Sequence, residues 1–215
     1  NIVFDLTEAE PGVFWLATNA GVIPFDLNQQ QFNPAIRDSF DSKAVINWEA
    51  HAIHKDSEGI IWIGTIMGLC NVNPHQQEFL RHPLWTPLPA WKILVDEDAG
   101  RYYNLKFYDN RSLFIYDVAK RSYKRYPIPG ADQTKAEPFT FIKDRRGKIW
   151  IGTTRGIFIF DEVEESFQRF QLPTEPLAGR VPYVAELLED KAGHIWIAVR
   201  AVGLLRYNPE NKRFD

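Results

Sequence analysis

A short phrase built around tryptophan recurs along this chain: GVFWLATNAG at Trp15, GIIWIGTIMG at Trp62, GKIWIGTTRG at Trp150 and GHIWIAVRAVG at Trp196. Trp15 and Trp62 lie 47 residues apart, Trp150 and Trp196 lie 46 apart, and the interval between the two pairs has room for one more copy. That copy is present in altered form. After Gly100, Tyr103 stands where tryptophan is expected, 41 residues past Trp62 and 47 before Trp150, and Leu113, Tyr116 and Asp117 follow the phrase's second half. Five repeats, at approximately 1–40, 41–88, 89–134, 135–180 and 181–215, account for nearly every residue. Tandem self-similarity at a period of about 45 residues constrains the fold more than any other feature, because each repeat must be one supersecondary unit stacked on its neighbours.

The fourth repeat shows what that unit is. Phe139 to Lys143 is an apolar β-prone run, Asp144 to Gly147 a turn, Ile149 to Thr153 a second strand, Thr154 to Gly156 a second turn and Ile157 to Phe160 a third strand, with a short fourth around Phe167 to Phe170. The second and fifth repeats follow the same order. Asp followed three residues later by Gly, at Asp56/Gly59, Asp144/Gly147 and Asp190/Gly193, is turn chemistry: the carboxylate accepts a backbone N–H and glycine takes the positive φ that ends a short hairpin loop. No segment carries a sustained 3.6-residue apolar period with caps, so the chain reads as all-β. Tandem four-stranded antiparallel units that must cover their apolar faces are expected to stack radially as the blades of a β-propeller.

Side chains alternate along a strand, so Trp62 and Gly64 share one face and Ile61 and Ile63 the other. Both faces are apolar, as a sheet sandwiched between two others requires. The residue two beyond each tryptophan is small, namely Ala17, Gly64, Gly152 and Ala198, which sets a large ring beside a gap for the neighbouring sheet to fill. The structural repeat positions are therefore Trp15, Trp62, Tyr103, Trp150 and Trp196. In the third repeat Tyr103 and Leu105 replace the ring and the gap, which predicts an irregular blade.

The pattern D-x-x-G-x-I-W-I-G-T-x-x-G-[IL]-x-x-[FY]-[DN], as it stands at Asp56 to Asn73 and Asp144 to Asp161, resembles the two-component regulator propeller repeat. The match extends over the whole chain. It is strong in repeats two and four, fair in one and five, where Ala replaces the first Gly, and poor in three. The resemblance implies the periplasmic sensor region of a bacterial inner-membrane regulator, commonly a hybrid histidine kinase tied to polysaccharide use, sometimes a diguanylate cyclase. It implies seven-bladed propellers followed by an immunoglobulin-like domain, a membrane helix and cytoplasmic signalling domains, and a homodimer in which two chains change their mutual arrangement. The five repeats then belong to a larger ring, as an excised part of a longer protein. A stand-alone five-bladed ring, lectin-like or protein-binding, stays open as the alternative. Sialidase and xyloglucanase propellers share the hairpin logic but carry Asp-x-Gly where this chain has Asp-x-x-Gly, so a glycan hydrolase is the more distant reading.

Several function classes find no support. A net charge of −3 without a Lys/Arg-rich block offers no electrostatic footprint for nucleic acid. No apolar run approaches a membrane helix, and the start without Met or a signal peptide reads as a mature form or an excised segment. The single Cys70 fits an exported or a cytosolic protein. His51 and His54, three apart on a strand, are expected on opposite faces, so no metal site is expected. Glu162, Glu164 and Glu165 read as a solvated turn, not an acid/base pair. No cofactor and no catalytic residue is expected in this segment, and any kinase activity would belong to the full-length protein.

A propeller gathers its binding residues on the loop-bearing face, where the turns joining second and third strands meet the connectors between blades. The segments that depart from the repeat there are Asn33 to Asn47, Arg81 to Ala90, Tyr126 to Pro138 and Leu172 to Pro182. Trp48, Trp85 and Trp91 fall outside the repeated position. Rings on such a face are what a sugar site uses, stacking on the apolar side of a pyranose, although the same rings serve equally to plug a channel or cover blade edges. Arg155 and Arg200 occupy corresponding turns of consecutive blades and are expected either as paired cations for an acidic ligand or as solvated surface residues.

Overall fold

The hairpin chemistry of each repeat produces the same four-stranded meander five times. The computed structural model describes residues 2–32, 49–66, 68–73, 78–81, 92–106, 111–130 and 136–214. Blade 1 consists of β1 (Val3–Glu10), β2 (Val13–Thr18), β3 (Gly21–Asp26) and β4 (Gln31–Phe32), and blade 2 of β5 (Ala50–Lys55), β6 (Ile61–Thr65), β7 (Gly68–Asn73) and β8 (Glu78–Arg81). Blade 3 has β9 (Ile93–Asp96), β10 (Arg101–Lys106), β11 (Ser112–Asp117) and β12 (Ser122–Pro127). Blade 4 has β13 (Pro138–Lys143), β14 (Ile149–Thr153), β15 (Gly156–Asp161) and β16 (Ser166–Phe170), and blade 5 has β17 (Val184–Glu189), β18 (Ile195–Val199), β19 (Gly203–Asn208) and β20 (Arg213–Phe214). Every sheet runs in sequential antiparallel order, so the chain is an all-β protein built of β-propeller blades. The one helical element among the described residues is a single turn, α1 (Thr174–Leu177), in the connector that the sequence marks as irregular.

The chain divides into two compact units, Asn1–Lys106 with Phe114–Lys124, and Phe107–Leu113 with Arg125–Asp215. In the first, Trp15 and Ala17 of blade 1 share a buried cluster with Ile53, Ile61 and Ile63 of blade 2. The opposite face of blade 2 sends Trp62 into a cluster with Tyr116 and Tyr102 of blade 3, its ring 3.9 Å from that of Tyr102. In the second unit Trp150 lies with Val184, Leu187, Ile195, Ile197 and Leu205 of blade 5. Alternation along the strand thus splits the blade 2 phrase between two interfaces, Trp62 towards blade 3 and Ile61 and Ile63 towards blade 1. The small neighbour has the expected use at Gly152, where a Cβ would stand 2.6 Å from Val184 Cγ1 and 2.8 Å from Thr140 Cγ2.

Two features depart from the repeat as read from sequence. In four blades the innermost strand carries a β-bulge at one equivalent place, between Val3 and Asp5, Ala50 and Ala52, Pro138 and Thr140, and Val184 and Glu186. His51 therefore sits in a bulge, buried against Phe4 with ring centroids 4.4 Å apart, while His54 is exposed. Blade 3 departs at its first hairpin, where Asp96 pairs with Arg101 across four residues, one fewer than separates Lys55 from Ile61. Tyr103 and Leu105 remain buried in that blade.

Candidate functional site

The turn aspartates do more than cap a hairpin. Asp144 Oδ1 accepts the backbone N–H groups of Arg146 (3.0 Å) and Lys148 (2.9 Å), and its Oδ2 accepts the indole N–H of Trp150 (2.8 Å). Asp56 does the same for Glu58, Ile60 and Trp62, and Asp190 for Ala192, His194 and Trp196. The Trp196 indole, with the His194 and Ala192 donors behind it, holds the Asp190 carboxyl well below the usual carboxylate range. These donors bind the hairpin to the repeated ring, so the first-turn edge of blades 2, 4 and 5 is structural.

The second-turn edge is where polar groups stay available. Thr153 Oγ1 donates to Gly156 O at 2.9 Å and accepts the Arg155 N–H at 3.0 Å, and the next turn residue back, Thr154, donates its N–H to Glu137 O of the incoming connector at 2.9 Å. The same latch joins Arg200 N to Tyr183 O at 2.8 Å in blade 5. Turn and connector are thereby held together, and at blade 4 they frame a cleft of about 560 Å3, within the range of small-ligand sites.

Arg155 enters that cleft from the β14–β15 turn, Arg169 from β16 and Arg180 from the connector after α1. Phe158, paired with Arg169 across the strands, and Pro129, Val181 and Pro182 give it apolar walls, with Gly130 and Ala136 completing the rim. Arg169 Nη2 donates to Arg155 O at 3.3 Å, and Arg180 Nη1 donates to Ala201 O at 2.7 Å. The connector reaches this place because Leu177 is buried in the core shared with Trp150, while Ala178, in the left-handed region at φ 45°, ends α1 one residue later. None of the described residues lining the cleft is acidic.

Of the residues selected from sequence, Arg155 lies in the cleft. Arg200 does not line it: its guanidinium lies over the Tyr183 ring, 5.5 Å from the centroid, and burial raises the Tyr183 phenol, with that cation opposing the rise. Trp48, Trp85 and Trp91 lie outside the described residues. Trp15, Trp62, Tyr103 and Trp150 are buried, and Trp196 is half-buried beneath Arg206. Sequence reasoning missed Arg169 and Arg180. The signal for Arg169 was its register, since β16 places it opposite Phe158, two residues beyond the Gly156 turn. A second, apolar slot, lined by Ile93, Tyr102, Asn104 and Tyr116 among others, has room for about one water molecule, roughly 10 Å3. Among the described residues no group of three or more His, Cys, Asp or Glu is placed to hold a metal ion, and no helix is long and apolar enough to cross a membrane.

Fold and site together define a β-propeller module with a polar cleft between a blade turn and its connectors. No protein-family model and no curated protein matches the sequence. Solved structures do. The chain is similar to the extracellular domain of the candidate hybrid two component system BT3049 of B. thetaiotaomicron, at 21% identity and a TM-score of 0.74, covering 100% of this chain and 28% of that one. It is similar to the extracellular domain of the candidate one component system BT4673 of the same organism, at 16% identity and a TM-score of 0.72, covering 94% of this chain and 26% of that one. The β-propeller domain of Cps50 (Swd1) from Myceliophteria thermophila matches at 11% identity and a TM-score of 0.61, over 95% of this chain and 64% of that one. The chain thus spans about a quarter of the length of the two bacterial extracellular domains. At these identities the likeness establishes the fold.

Proposed function

We propose that this chain is the ligand-recognition part of an extracytoplasmic two-component sensor, that its ligand is an oligo- or polysaccharide, and that the segment itself performs no chemistry. The observation that carries the proposal is the cleft at blade 4, open at the turn-and-connector edge and combining an aromatic and proline wall with guanidinium donors. Saccharides are bound by that combination, apolar faces against the C–H side of the ring and fixed donors on the oxygens. The likeness to extracellular domains of candidate signalling systems supports the sensor assignment and its location. Hydrolysis by paired carboxylates draws no support from the described lining of this cleft, which holds none.

A glycan array probed with the 215-residue chain, followed by calorimetry on the hits, tests this. Binding of a defined saccharide without turnover is expected, weakened by Arg155→Ala or by one or more of Trp48→Ala, Trp85→Ala and Trp91→Ala. Release of reducing ends would remove the non-catalytic reading, and silence across the array would remove the saccharide. A protein-interaction module is the second reading, favoured by the exposed apolar residues Val3, Leu6, Leu188 and Leu204 on blades 1 and 5.

A further inference from the structure

We infer that the blade 4 cleft takes an acidic saccharide, holding its carboxylate or sulfate group on Arg155, Arg169 and Arg180; this rests on the saccharide reading above and narrows it. The cleft stands against the charge pattern of its surroundings. The chain carries more acidic than basic residues, and several of its other cations are matched: Arg145 with Glu189 at 2.8 Å, Lys143 with Glu162 at 2.8 Å, Lys120 with Asp117 at 2.9 Å, and Lys148 with Asp161. Arg155, Arg169 and Arg180 have no carboxylate partner among the described residues, and all three are exposed to the cleft they line. Three permanent positive charges gathered around one concavity repel one another. An anion in their midst removes that repulsion and collects their focused field.

The donors are also in place before a ligand arrives. Arg169 and Arg180 each spend one N–H on a backbone carbonyl, which leaves most of the five donors of each guanidinium. Guanidinium forks match the two oxygens of a carboxylate or the oxygens of a sulfate in parallel bonds, which a hydroxyl cannot return. Phe158 and Pro182 give the remainder of the sugar ring an apolar surface. A volume of about 560 Å3 accommodates a few sugar units.

Calorimetric titration of the 215-residue chain with trigalacturonate, its fully methyl-esterified form and a sulfated uronate–hexosamine disaccharide separates the possibilities. An acidic ligand, carboxylated or sulfated, is expected to bind at least about tenfold more tightly than the neutral ester. Arg155→Ala, Arg169→Ala and Arg180→Ala should each weaken it about tenfold. Arg169→Lys should lose most of the same factor, since the fork is gone though the charge remains. Arg213→Ala, elsewhere in the same unit, should change nothing. Arg180→Gln keeps a donor for Ala201 O and replaces the alanine variant should that one melt early. Equal binding of ester and acid, or indifference to all three arginines, overturns the inference and leaves the saccharide reading standing. Preference for inorganic sulfate or a glutamate-rich peptide over either acidic sugar overturns it as well. Failure of every saccharide, charged and neutral, removes both.

Discussion

A carboxylate that binds two backbone N–H groups and an indole at once makes the hairpin and the blade interface a single unit. At Asp144 this carboxylate is buried, and hydrogen bonds to a charged group contribute about 1.5–3 kcal/mol each while unpaired buried donors are costly. Asp144→Ala is therefore expected to destabilise the protein by about 2–4 kcal/mol in chemical denaturation, more than loss of an exposed ion pair such as Arg145–Glu189, whose worth is under about 1 kcal/mol. An Asp144 variant as stable as the parent would show that the ring needs no fixed partner. The counterpart at Asp190 adds a pH dependence. Its folded pKa lies below the unfolded value of about 3.9, so its contribution is complete above that value and fades as pH falls through the folded one. Thermal melts of the parent and of Asp190→Asn should differ by a constant interval above about pH 5 and converge below about pH 4. An interval that does not narrow below about pH 4 would show that these donors do not hold the carboxyl in its charged form.

At the scale of the element, the blade interface is a lock between a missing side chain and a present one. A methyl group at position 152 would meet Val184 and Thr140 inside van der Waals contact, at 2.6 and 2.8 Å. Gly152→Ala should thus cost about 1–3 kcal/mol through overpacking, and Val184→Ala in the same chain should return most of it. A double-mutant cycle measures that coupling, and additive effects would show that the sheets slide apart freely. The lock was legible in the sequence because it is periodic: Trp150 and Gly152 recur as Trp62 and Gly64, and strand alternation assigns each to a face. The bulges were not legible, since inserting Phe4, His51, Phe139 or Ala185 into a strand shifts register without altering residue types. Nor was the shortened hairpin before Arg101, because Tyr103 preserves the facing while the loop loses a residue. The cleft was half legible. Arg155 stands out in a repeated turn, whereas Arg169 joins it only through cross-strand pairing with Phe158, and Arg180 through the buried anchor of Leu177 in a connector with no repeat to compare.

At the scale of the whole molecule, the faces that remain open are copies of faces that are closed. In blade 5 the surface packed on the Trp150 face consists of Val184, Leu187, Ile195, Ile197, Leu205, Tyr207 and Phe214. Strand register puts Val3, Leu6, Phe14, Leu16, Ile23, Phe25 and Phe32 at the same places in blade 1, yet Leu6 is 53% and Phe32 60% exposed. Blade 5 likewise turns a tryptophan face outward, with Leu188 and Leu204 each 60% exposed around Trp196. One open face is thus of the inserting kind and the other of the receiving kind, so their union is heterologous. Each leucine that such a union buries contributes about 1.5–3 kcal/mol. The 215-residue chain on its own is therefore expected to self-associate in a concentration-dependent way, head to tail, when followed by sedimentation velocity. Leu6→Lys and Leu204→Lys should each suppress association alone. Mixed together they should form a one-to-one pair and nothing larger, because each variant retains the face that the other has lost. Association that survives both substitutions, or a mixture that stays monomeric, would show that these two surfaces do not recognise each other.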